Sequence, residues 1–373
     1  MKYYLISGEA SGDLHGSNLI KELKQQDSSA DIRCWGGDLM EAAGATLVKH
    51  YRDLAFMGFA EVVKNLPTIF RNIKFCKADI QSWQPDVLVL IDYPGFNLRI
   101  AEWAKQKGYK IAYYISPQVW AWKENRVKKM KQCIDKMLCI LPFEKDYYKN
   151  KWNWDVEYVG HPLLEVIERK IKETRDKEQG IRNQESKGII ALLPGSRKQE
   201  IGKKLPIMLS VAAHFPGYQF VVAMAPGLND TFYRPFLVTA PNVSSVSNQT
   251  YELLLQSTAA LVTSGTATLE TALLKVPEIV CYKGSNISYQ IAKRLISIKY
   301  ISLVNLIMDK LVVKELIQDE LNTENLVKEL STILTNNEYR QQMMNDYYHL
   351  WQQLSEGGNA SQLAAQHIVK LIQ

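Results

Sequence analysis

Residues 3–20, which read YYLISGEASGDLHGSNLI, join a short apolar run to a helical pattern through a turn of glycine and serine. The same construction recurs at residues 189–197 and at residues 259–268. Glycine lets a backbone approach a ligand closely, and the start of a helix offers unpaired N–H groups and a partial positive charge. Because both halves contain this construction, it predicts two Rossmann-like domains that face one cleft. Such a cleft suits a diphosphate-bearing substrate, for example a nucleotide-sugar.

Apolar segments alternate with helical patterns along the chain, which favours an α/β fold with mostly parallel sheets. Strands are predicted at residues 3–6, 32–35, 87–91, 110–114, 136–140, 156–159, 189–193, 219–223, 243–246, 259–262 and 278–281. Helices are predicted at residues 14–25, 98–107, 123–132 and 144–149, and the pattern after Asn305 is helical to the last residue.

The charged, weakly patterned stretch at residues 170–187 predicts a helix end followed by a linker. Domains are therefore expected at residues 1–170 and 188–350. The helical pattern at residues 351–373 is followed by no strand, and this helix is expected to return to the first domain.

The composition narrows the class of protein. Apolar residues make up 46% and charged residues 23% of the 373 positions, which is usual for a globular protein. The five cysteines and six histidines are scattered without metal-ligand spacing, so no metal and no cofactor are expected and the thiols are expected to be reduced. Neither a signal-peptide core nor a membrane-spanning run is visible, which predicts a cytoplasmic protein.

Two segments of the second half have the residue types of a nucleotide site. Arg197 follows a predicted strand, where a guanidinium can bind phosphate through two hydrogen bonds or can hold its own loop. Ser264, Gly265 and Thr266 open a predicted helix whose free N–H groups can bind a diphosphate, although the hydroxyls can equally act as caps. Glu270 lies about a turn and a half further on, where its carboxylate can accept hydrogen bonds from ribose hydroxyls or face solvent.

Polar and aromatic side chains also follow strands in the first half. Asp92 ends the apolar run at residues 87–91, where it can take a proton from an attacking hydroxyl or bond to its own turn. Gln118, Trp120 and Trp122 follow the predicted strand at residues 110–114. They suit the face of a sugar ring, and the tryptophans are also consistent with buried anchors.

A basic amphipathic pattern occupies residues 66–77, with Leu66, Ile69 and Phe70 at helical spacing and basic side chains between them. The basic side chains singled out are Arg71 and Lys74, and the preceding apolar residues are Phe56, Met57 and Phe59. This pattern is typical of a helix at a membrane interface and of an ordinary core-packed surface helix. A second basic cluster, at residues 123–136, suits an anionic partner or a solvated helix face.

Nine short motifs, in this order and spacing, closely resemble the lipid-A-disaccharide synthases of glycosyltransferase family 19. The motifs are GEASGD (8–13), MG (57–58), IDYP (91–94), SPQVWAW (116–122), LPFE (141–144), GHP (160–162), LPGSR (193–197), SGTATLE (264–270) and SLVN (302–305). The resemblance covers nearly the whole chain. It implies a GT-B fold and a metal-independent, inverting transfer from UDP-2,3-diacylglucosamine to 2,3-diacylglucosamine 1-phosphate. UDP and a β-1,6-linked disaccharide 1-phosphate would be the products.

The resemblance also implies roles for individual residues. Asp92 would remove the proton from the acceptor's 6-hydroxyl, and Glu270 would bind the ribose. The diphosphate would be surrounded by Arg197, Ser264, Gly265, Thr266 and Asn305. The first-domain side of the cleft would be lined by Glu9, Ser11, Asp13, Gln118, Trp120 and Trp122. Family members work peripherally at the inner face of the inner membrane, so an anionic membrane surface is an expected partner and nucleic acid is not.

Two positions depart from the family pattern, because many relatives have an aspartate in place of Gly95 and a proline in place of Val304. Three alternative functions fit parts of this pattern to different degrees. A UDP-N-acetylglucosamine 2-epimerase would share the fold but would need no acceptor. A dehydrogenase is disfavoured because residues 8–13 lack the Gly-x-Gly-x-x-Gly fingerprint. A non-enzymatic membrane adaptor would bind the same ligands without turnover.

Overall fold

The computed structural model describes residues 1–54, 66–175, 187–238, 240–285 and 299–373. These residues form two compact units. The first unit comprises Met1–Pro162 together with Leu354–Gln373, and the second comprises Leu163–Gln353.

The first unit is built on a seven-stranded parallel sheet with the order β3-β2-β1-β4-β5-β6-β7. Its strands are β1 (Lys2–Ser7), β2 (Asp31–Gly36), β3 (Thr46–His50), β4 (Val87–Ile91), β5 (Lys110–Tyr114), β6 (Lys136–Cys139) and β7 (Glu157–Tyr158). Its helices up to this point are α1 (Ala10–Gln26), α2 (Asp38–Ala42), α3 (Leu66–Trp83), α4 (Pro94–Gln106), α5 (Arg126–Cys133) and α6 (Pro142–Trp152).

The second unit has a six-stranded parallel sheet with the order β10-β9-β8-β11-β12-β13. Its strands are β8 (Ile189–Leu193), β9 (Gln219–Met224), β10 (Val243–Ser247), β11 (Ser257–Thr263), β12 (Glu278–Tyr282) and β13 (Lys314–Ile317). Its helices are α7 (Leu163–Arg175), α8 (Lys198–Leu209), α9 (Asp230–Leu237), α10 (Thr250–Leu255), α11 (Thr266–Leu273), α12 (Leu303–Met308), α13 (Thr323–Thr335) and α14 (Asn337–Ser355). The prediction of two Rossmann-like parallel-sheet domains is confirmed.

Both faces of the first sheet are buried, because alternate side chains of β1 enter opposite cores. Tyr4 and Ile6 pack into one apolar cluster, and Tyr3 and Leu5 pack into the other. All four are fully buried. This arrangement explains why the central strands read as continuous apolar runs in the sequence.

The last helix, α15 (Ala360–Ile372), completes the second of these clusters with Ala364, Ala365 and Ile368, and it packs against α1. The chain enters α15 past Gly160, where two backbones nearly touch. A Cβ atom on Gly357 would lie only 2.3 Å from the backbone nitrogen of Gly160. Gly160 also has a φ of +84°, so glycine is required at this crossing for two reasons.

The structure corrects the sequence prediction at three places. The chain after Asn305 is not helical throughout, because β13 forms the edge of the second sheet. The edge strand β3 was not predicted, because its residues are largely half-exposed and lack a clear apolar run. Helix α5 begins at Arg126 rather than at residue 123, since Lys123 has a left-handed φ of +56°. Residues 170–187 were predicted as a helix end followed by a linker, and α7 does extend into this stretch as far as Arg175, whereas residues 176–186 lie outside the described residues.

A buried carboxyl group in β12 makes the stability of the second unit depend on pH. Glu278 is fully buried, and neither of its carboxylate oxygens has a hydrogen-bond partner among the described residues. Burial raises the pKa of this carboxyl well above its ordinary value. The folded unit therefore binds this proton more tightly than the unfolded chain, and stability falls as the pH rises above the unfolded-state pKa of roughly 4.5.

We expect Glu278→Gln to stabilise the protein at pH 8 and to have a much smaller effect at pH 4.5, where the carboxyl is protonated in the folded unit and about half protonated in the unfolded chain. A gain of about 1 kcal/mol would raise Tm by roughly 2–4 °C for a unit of this size. Thermal unfolding of both proteins across pH 4.5–8 measures the difference. The control is Glu324→Gln, because Glu324 is exposed. A Tm difference that does not grow with pH would contradict this account.

Candidate active site

In both units several of the predicted site residues lie at the point where the strand order reverses. In the first unit this point lies between β1 and β4, and in the second it lies between β8 and β11. Ligands of open α/β sheets bind beyond the carboxyl ends of the strands at such a point. Ser7 pairs with Ile91, so the turn after β1 lies beside Asp92. Likewise, Val262 pairs with Leu193, so the turns after β8 and β11 are neighbours.

Asp92 lies in a strained turn at the end of β4. Asp92 and Tyr93 have φ values of +45° and +48°, a conformation that costs a non-glycine residue free energy. The fully buried Asn97 holds this turn, because its amide nitrogen donates to the carbonyl oxygens of Asp92 at 2.8 Å, Ile91 at 3.2 Å and Ile6 at 3.3 Å. The Tyr113 hydroxyl also donates to the Asp92 carbonyl oxygen, at 2.5 Å. The backbone at Asp92 is thus fixed by side chains from two directions.

The environment of Asp92 makes its carboxylate more basic than that of an ordinary aspartate. Burial raises the pKa of Asp92 to about 6, with a further contribution from the negative charge of Glu9. Glu9 is exposed and precedes α1, and Ser11 is exposed in its first turn. The Asp92 carboxylate can therefore accept a proton near neutral pH, as a general base must.

The glycines of the turn after β1 are required by contacts within the first unit. A Cβ atom on Gly8 would lie 2.4 Å from the Tyr93 ring, and one on Gly12 would lie 2.3 Å from Ser7 Oγ. Because Gly8 has no side chain, the turn after β1 can lie directly against the turn that contains Asp92 and Tyr93. Because Gly12 has no side chain, α1 can pack closely on the end of β1.

Asp13 does not have the role expected for it as a cleft residue. Its side chain is 3% exposed and accepts hydrogen bonds from the backbone N–H groups of Gly37 at 2.8 Å, Met40 at 3.0 Å and Leu39 at 3.2 Å. Asp13 therefore caps α2, and its carboxylate satisfies N–H groups that the short helix leaves unpaired.

The two tryptophans after β5 have different environments. Trp120 donates from Nε1 to Glu144 Oε1 at 3.2 Å and packs edge-on against Phe143, so it anchors the loop. Trp122 is exposed, and Lys123 Nζ lies 4.0 Å from its ring centroid. Gln118 is exposed as well. Glu144 was not predicted as a functional residue, yet it is fully buried, and burial raises its pKa to about 7.

The second unit presents an open turn at the start of α11. Gly265 has a φ of +145°, and nothing lies within 4 Å of where its Cβ would be. Gly265 and Thr266 are exposed, whereas Ser264 uses its hydroxyl to donate to the Ile301 carbonyl oxygen at 2.8 Å. Burial raises the pKa of Glu270 to about 7. Arg197 is exposed at the start of α8, and its Nη1 lies 3.3 Å from Oε1 of Glu200 in the first turn of that helix.

The structure gives Asn305 a structural role that the sequence did not predict. Its side chain is fully buried, and its amide nitrogen donates to the Val313 carbonyl oxygen and to Glu315 Oε1, both at 2.9 Å. Its oxygen accepts from the backbone N–H groups of Val312 at 2.8 Å and Val313 at 3.0 Å. The side chain therefore ties α12 to the start of β13, and a direct contact with a phosphate would require some of these bonds to break.

Lys204 is a buried cation that the sequence analysis did not single out. It is 3% exposed, it donates a hydrogen bond to Thr263 Oγ1 at the end of β11, and burial lowers its pKa. A Cβ atom on Gly195 would lie 3.6 Å from its Nζ, so the charge lies beneath the turn after β8. Helical spacing could have found it, because Lys204 shares the buried face of α8 with Ile201, Leu205 and Met208.

The helix predicted as a candidate for membrane contact has both packed and exposed apolar side chains, and its role at a membrane stays a prediction. On α3, Ile69 packs against the core, whereas Phe70 is 58% exposed beside the exposed Arg71 and Lys74. Phe56, Met57, Phe59 and the side chain of Leu66 lie outside the described residues. Among the described helices, none has the length and apolar character needed to cross a membrane.

Solved structures of similar fold include a UDP-GlcNAc 2-epimerase and a glycosyltransferase. The UDP-GlcNAc 2-epimerase from Neisseria meningitidis, bound to UDP-GlcNAc, matches with a TM-score of 0.68 and 15% identity over 99% of this chain and 100% of its own. A glycosyltransferase of kitacinnamycin matches with a TM-score of 0.67 and 12% identity over 100% and 99%. At these identities the likeness concerns the fold alone, and it places the protein in the GT-B fold class.

Sequence comparison identifies the family. Residues 3–369 match the lipid-A-disaccharide synthetase family. The lipid-A-disaccharide synthase of Syntrophus aciditrophicus is 38% identical over 96% of this chain and 95% of its own length, and that of Coxiella burnetii (strain CbuG_Q212) is 36% identical over 99% and 96%. The chain belongs to the lipid-A-disaccharide synthase family. It is a glycosyltransferase of lipid A biosynthesis that uses a UDP-sugar donor, which decides against the epimerase, dehydrogenase and adaptor alternatives.

We expect Asn305→Ala to lower the free energy of unfolding by about 1–3 kcal/mol, because it leaves buried polar groups unpaired. Thermal unfolding and UDP titration by calorimetry test this expectation together. Any loss of UDP affinity should accompany the loss of stability. An unchanged Tm with a greatly weakened UDP affinity would show that Asn305 is a ligand-binding residue and not a structural one.

Proposed function

We propose that Asp92 is the general base of a metal-independent, inverting transfer from UDP-2,3-diacylglucosamine to 2,3-diacylglucosamine 1-phosphate. The observation that carries this proposal is the turn at the end of β4. A strained backbone, fixed by Asn97 and Tyr113, presents a carboxyl whose pKa is raised to about 6. Strain that neighbouring side chains maintain is characteristic of functional sites.

In the proposed step, the acceptor's 6-hydroxyl oxygen attacks the anomeric carbon from the side opposite the UDP group. Its proton passes to the Asp92 carboxylate, the new C–O bond forms, and the bond to UDP breaks with its electron pair. Attack opposite an α-linked leaving group gives the β-linked disaccharide. A general base must be ionised at the working pH and basic enough to take the proton. A carboxylate with a pKa of about 6 is ionised at neutral pH and is more basic than an ordinary aspartate, so Asp92 meets both requirements.

The donor is proposed to bind the second unit. The open turn at Gly265 and the exposed Thr266 leave room for the diphosphate near the start of α11, with Arg197 at the neighbouring turn. Ser264 would contribute its backbone, since its hydroxyl bonds to Ile301. Glu270 would accept hydrogen bonds from the ribose hydroxyls. The buried charge of Lys204 would favour negative charge on the departing UDP, because a cation acts more strongly where water is excluded.

We propose the first unit as the acceptor side. Glu9, Ser11, Gln118 and Trp122 are its exposed candidates for sugar contact. We further propose that the two functional domains follow residues 1–170 and 188–350. The protein would act peripherally at the cytoplasmic face of the inner membrane, with the exposed aromatic and basic residues of α3 against an anionic surface.

We expect Asp92→Asn to lower kcat by about 10²–10⁴-fold, because the amide cannot accept the proton. UDP release is measured in mixed micelles containing a chelator, with and without the acceptor. The wild-type rate should rise with pH through about 6, as Asp92 loses its proton. The exposed Asp146→Asn is the matched control. Undiminished transfer by Asp92→Asn would remove Asp92 as the base and leave the transferase itself standing.

We expect Lys204→Met to weaken UDP binding about tenfold or more and to leave the acceptor KM unchanged. The same change should raise Tm, because it removes a cation whose burial is unfavourable. The control is Lys203→Met, since Lys203 is the exposed neighbour on the same helix. Calorimetric titration with UDP gives the affinity. A stabilised Lys204→Met variant with wild-type UDP affinity would assign Lys204 no part in donor binding.

A further inference from the structure

The first unit contains a cavity of about 290 Å³ that no step of the proposed transfer yet uses. It lies between α4 and α5, and Pro94 and Gly95 form one end of it. These residues come directly after Asp92 and Tyr93, so the cavity begins at the turn that presents the proposed base. No side chain fills this end, because nothing lies within 4 Å of where a Gly95 Cβ would be.

The charges around this cavity favour an anion. Three basic side chains line it, Arg99, Arg126 and Lys129, against one acidic side chain, Glu102. Lys129 Nζ forms an ion pair with Glu102 at 2.8 Å. The two arginines form no ion pair with any carboxylate in the described parts of the chain, which leaves an uncompensated charge of about +2.

Both arginines are supported by aromatic rings. The guanidinium carbon of Arg99 lies 5.7 Å from the Phe70 ring centroid, and that of Arg126 lies 6.0 Å from the Trp122 centroid. Contact with a ring restrains a guanidinium without using its N–H donors. The donors thus remain available for two parallel hydrogen bonds to a phosphate.

The remaining wall of the cavity is apolar. Leu98 extends from α4, and Met130 and Cys133 extend from α5. A free inorganic phosphate would gain nothing from this wall, whereas an amphiphile with a phosphate beside a hydrocarbon chain would bury apolar surface there. Methionine adapts well to flexible apolar ligands.

From this geometry we propose that the cavity between α4 and α5 is the subsite for the acceptor's 1-phosphate and the start of its neighbouring acyl chain. This inference rests on the proposed function. The 1-phosphate is on C1 and the attacking 6-hydroxyl is on C6, which is attached to C5, and C1 and C5 flank the ring oxygen of the same sugar. A phosphate held by Arg99 and Arg126 would therefore set the position of the 6-hydroxyl relative to Asp92.

The test compares two acceptors, 2,3-diacylglucosamine 1-phosphate and the same molecule with a free 1-hydroxyl. We expect Arg99→Ala and Arg126→Ala each to raise KM for the phosphorylated acceptor about tenfold or more and to leave KM for the 1-hydroxyl acceptor unchanged. Arg126→Lys should restore part of the loss. The matched control is Lys128→Ala, which removes the same charge from an exposed position of α5 outside the cavity. UDP affinity should be unchanged in all variants.

A parallel measurement of binding to phosphatidylglycerol vesicles separates the substrate phosphate from lipid headgroups. Equal losses with both acceptors, together with weaker vesicle binding, would assign the arginines to the membrane surface and overturn the subsite. Wild-type kinetics in both arginine variants would overturn it as well. If the wild-type protein transferred to neither acceptor, the proposed function would fail and the subsite with it. If the wild type transferred to the acceptors but the arginine variants showed no selective rise in KM for the phosphorylated one, only the proposed subsite would be overturned.

Discussion

The first unit depends on one buried amide. Asn97 donates to carbonyl oxygens at the ends of both β1 and β4, which are the two strands that flank the reversal of the sheet. Parallel strands end without a hairpin to join them, so their last carbonyl groups need partners from elsewhere. By supplying them, Asn97 fixes the left-handed turn at Asp92. The same bonds that complete the sheet therefore position the carboxyl group that we propose as the general base.

The two units share one sheet topology, but the ionisable side chain near the strand reversal is acidic in the first unit and basic in the second. In the first, burial and a nearby glutamate make the carboxyl of Asp92 a better proton acceptor. In the second, the buried cation of Lys204 bonds to Thr263, two residues before the open turn at Gly265. A proton acceptor in one unit and a positive charge in the other are what an acceptor hydroxyl and a departing diphosphate respectively require.

The central part of each sheet could be predicted from sequence, because strands buried on both faces contain little but apolar residues. Two of the four edge strands, β3 and β13, could not. Strands β3 and β13 have polar positions and exposed sides, so hydrophobic pattern alone does not distinguish them from loops or helix ends. Whether such a segment joins a sheet depends on the neighbouring elements, and the local sequence pattern contains no information about them.

The site residues divide in a similar way. Asp92 and Gly265 lie where the motif order placed them, at the carboxyl ends of strands. Asp13 and Asn305 occur in equally suggestive motifs, but their side chains satisfy buried backbone groups. A polar residue at a turn can bind either a ligand or its own backbone, and the spacing of residues is the same in both cases. Only the positions of the neighbouring N–H and carbonyl groups distinguish them.

The return of α15 to the first unit has a consequence for synthesis on the ribosome. The core beside α1 includes Ala364, Ala365 and Ile368, so it is incomplete until the chain has been made to that point. The second unit contains only residues that precede Leu354, and it can finish folding earlier. One face of the sheet in the nascent first unit therefore stays partly uncovered while some 190 further residues are translated. An exposed apolar face of this kind is a binding site for chaperones. Faster translation of the second unit would shorten the time for which this face is exposed and would favour correct assembly.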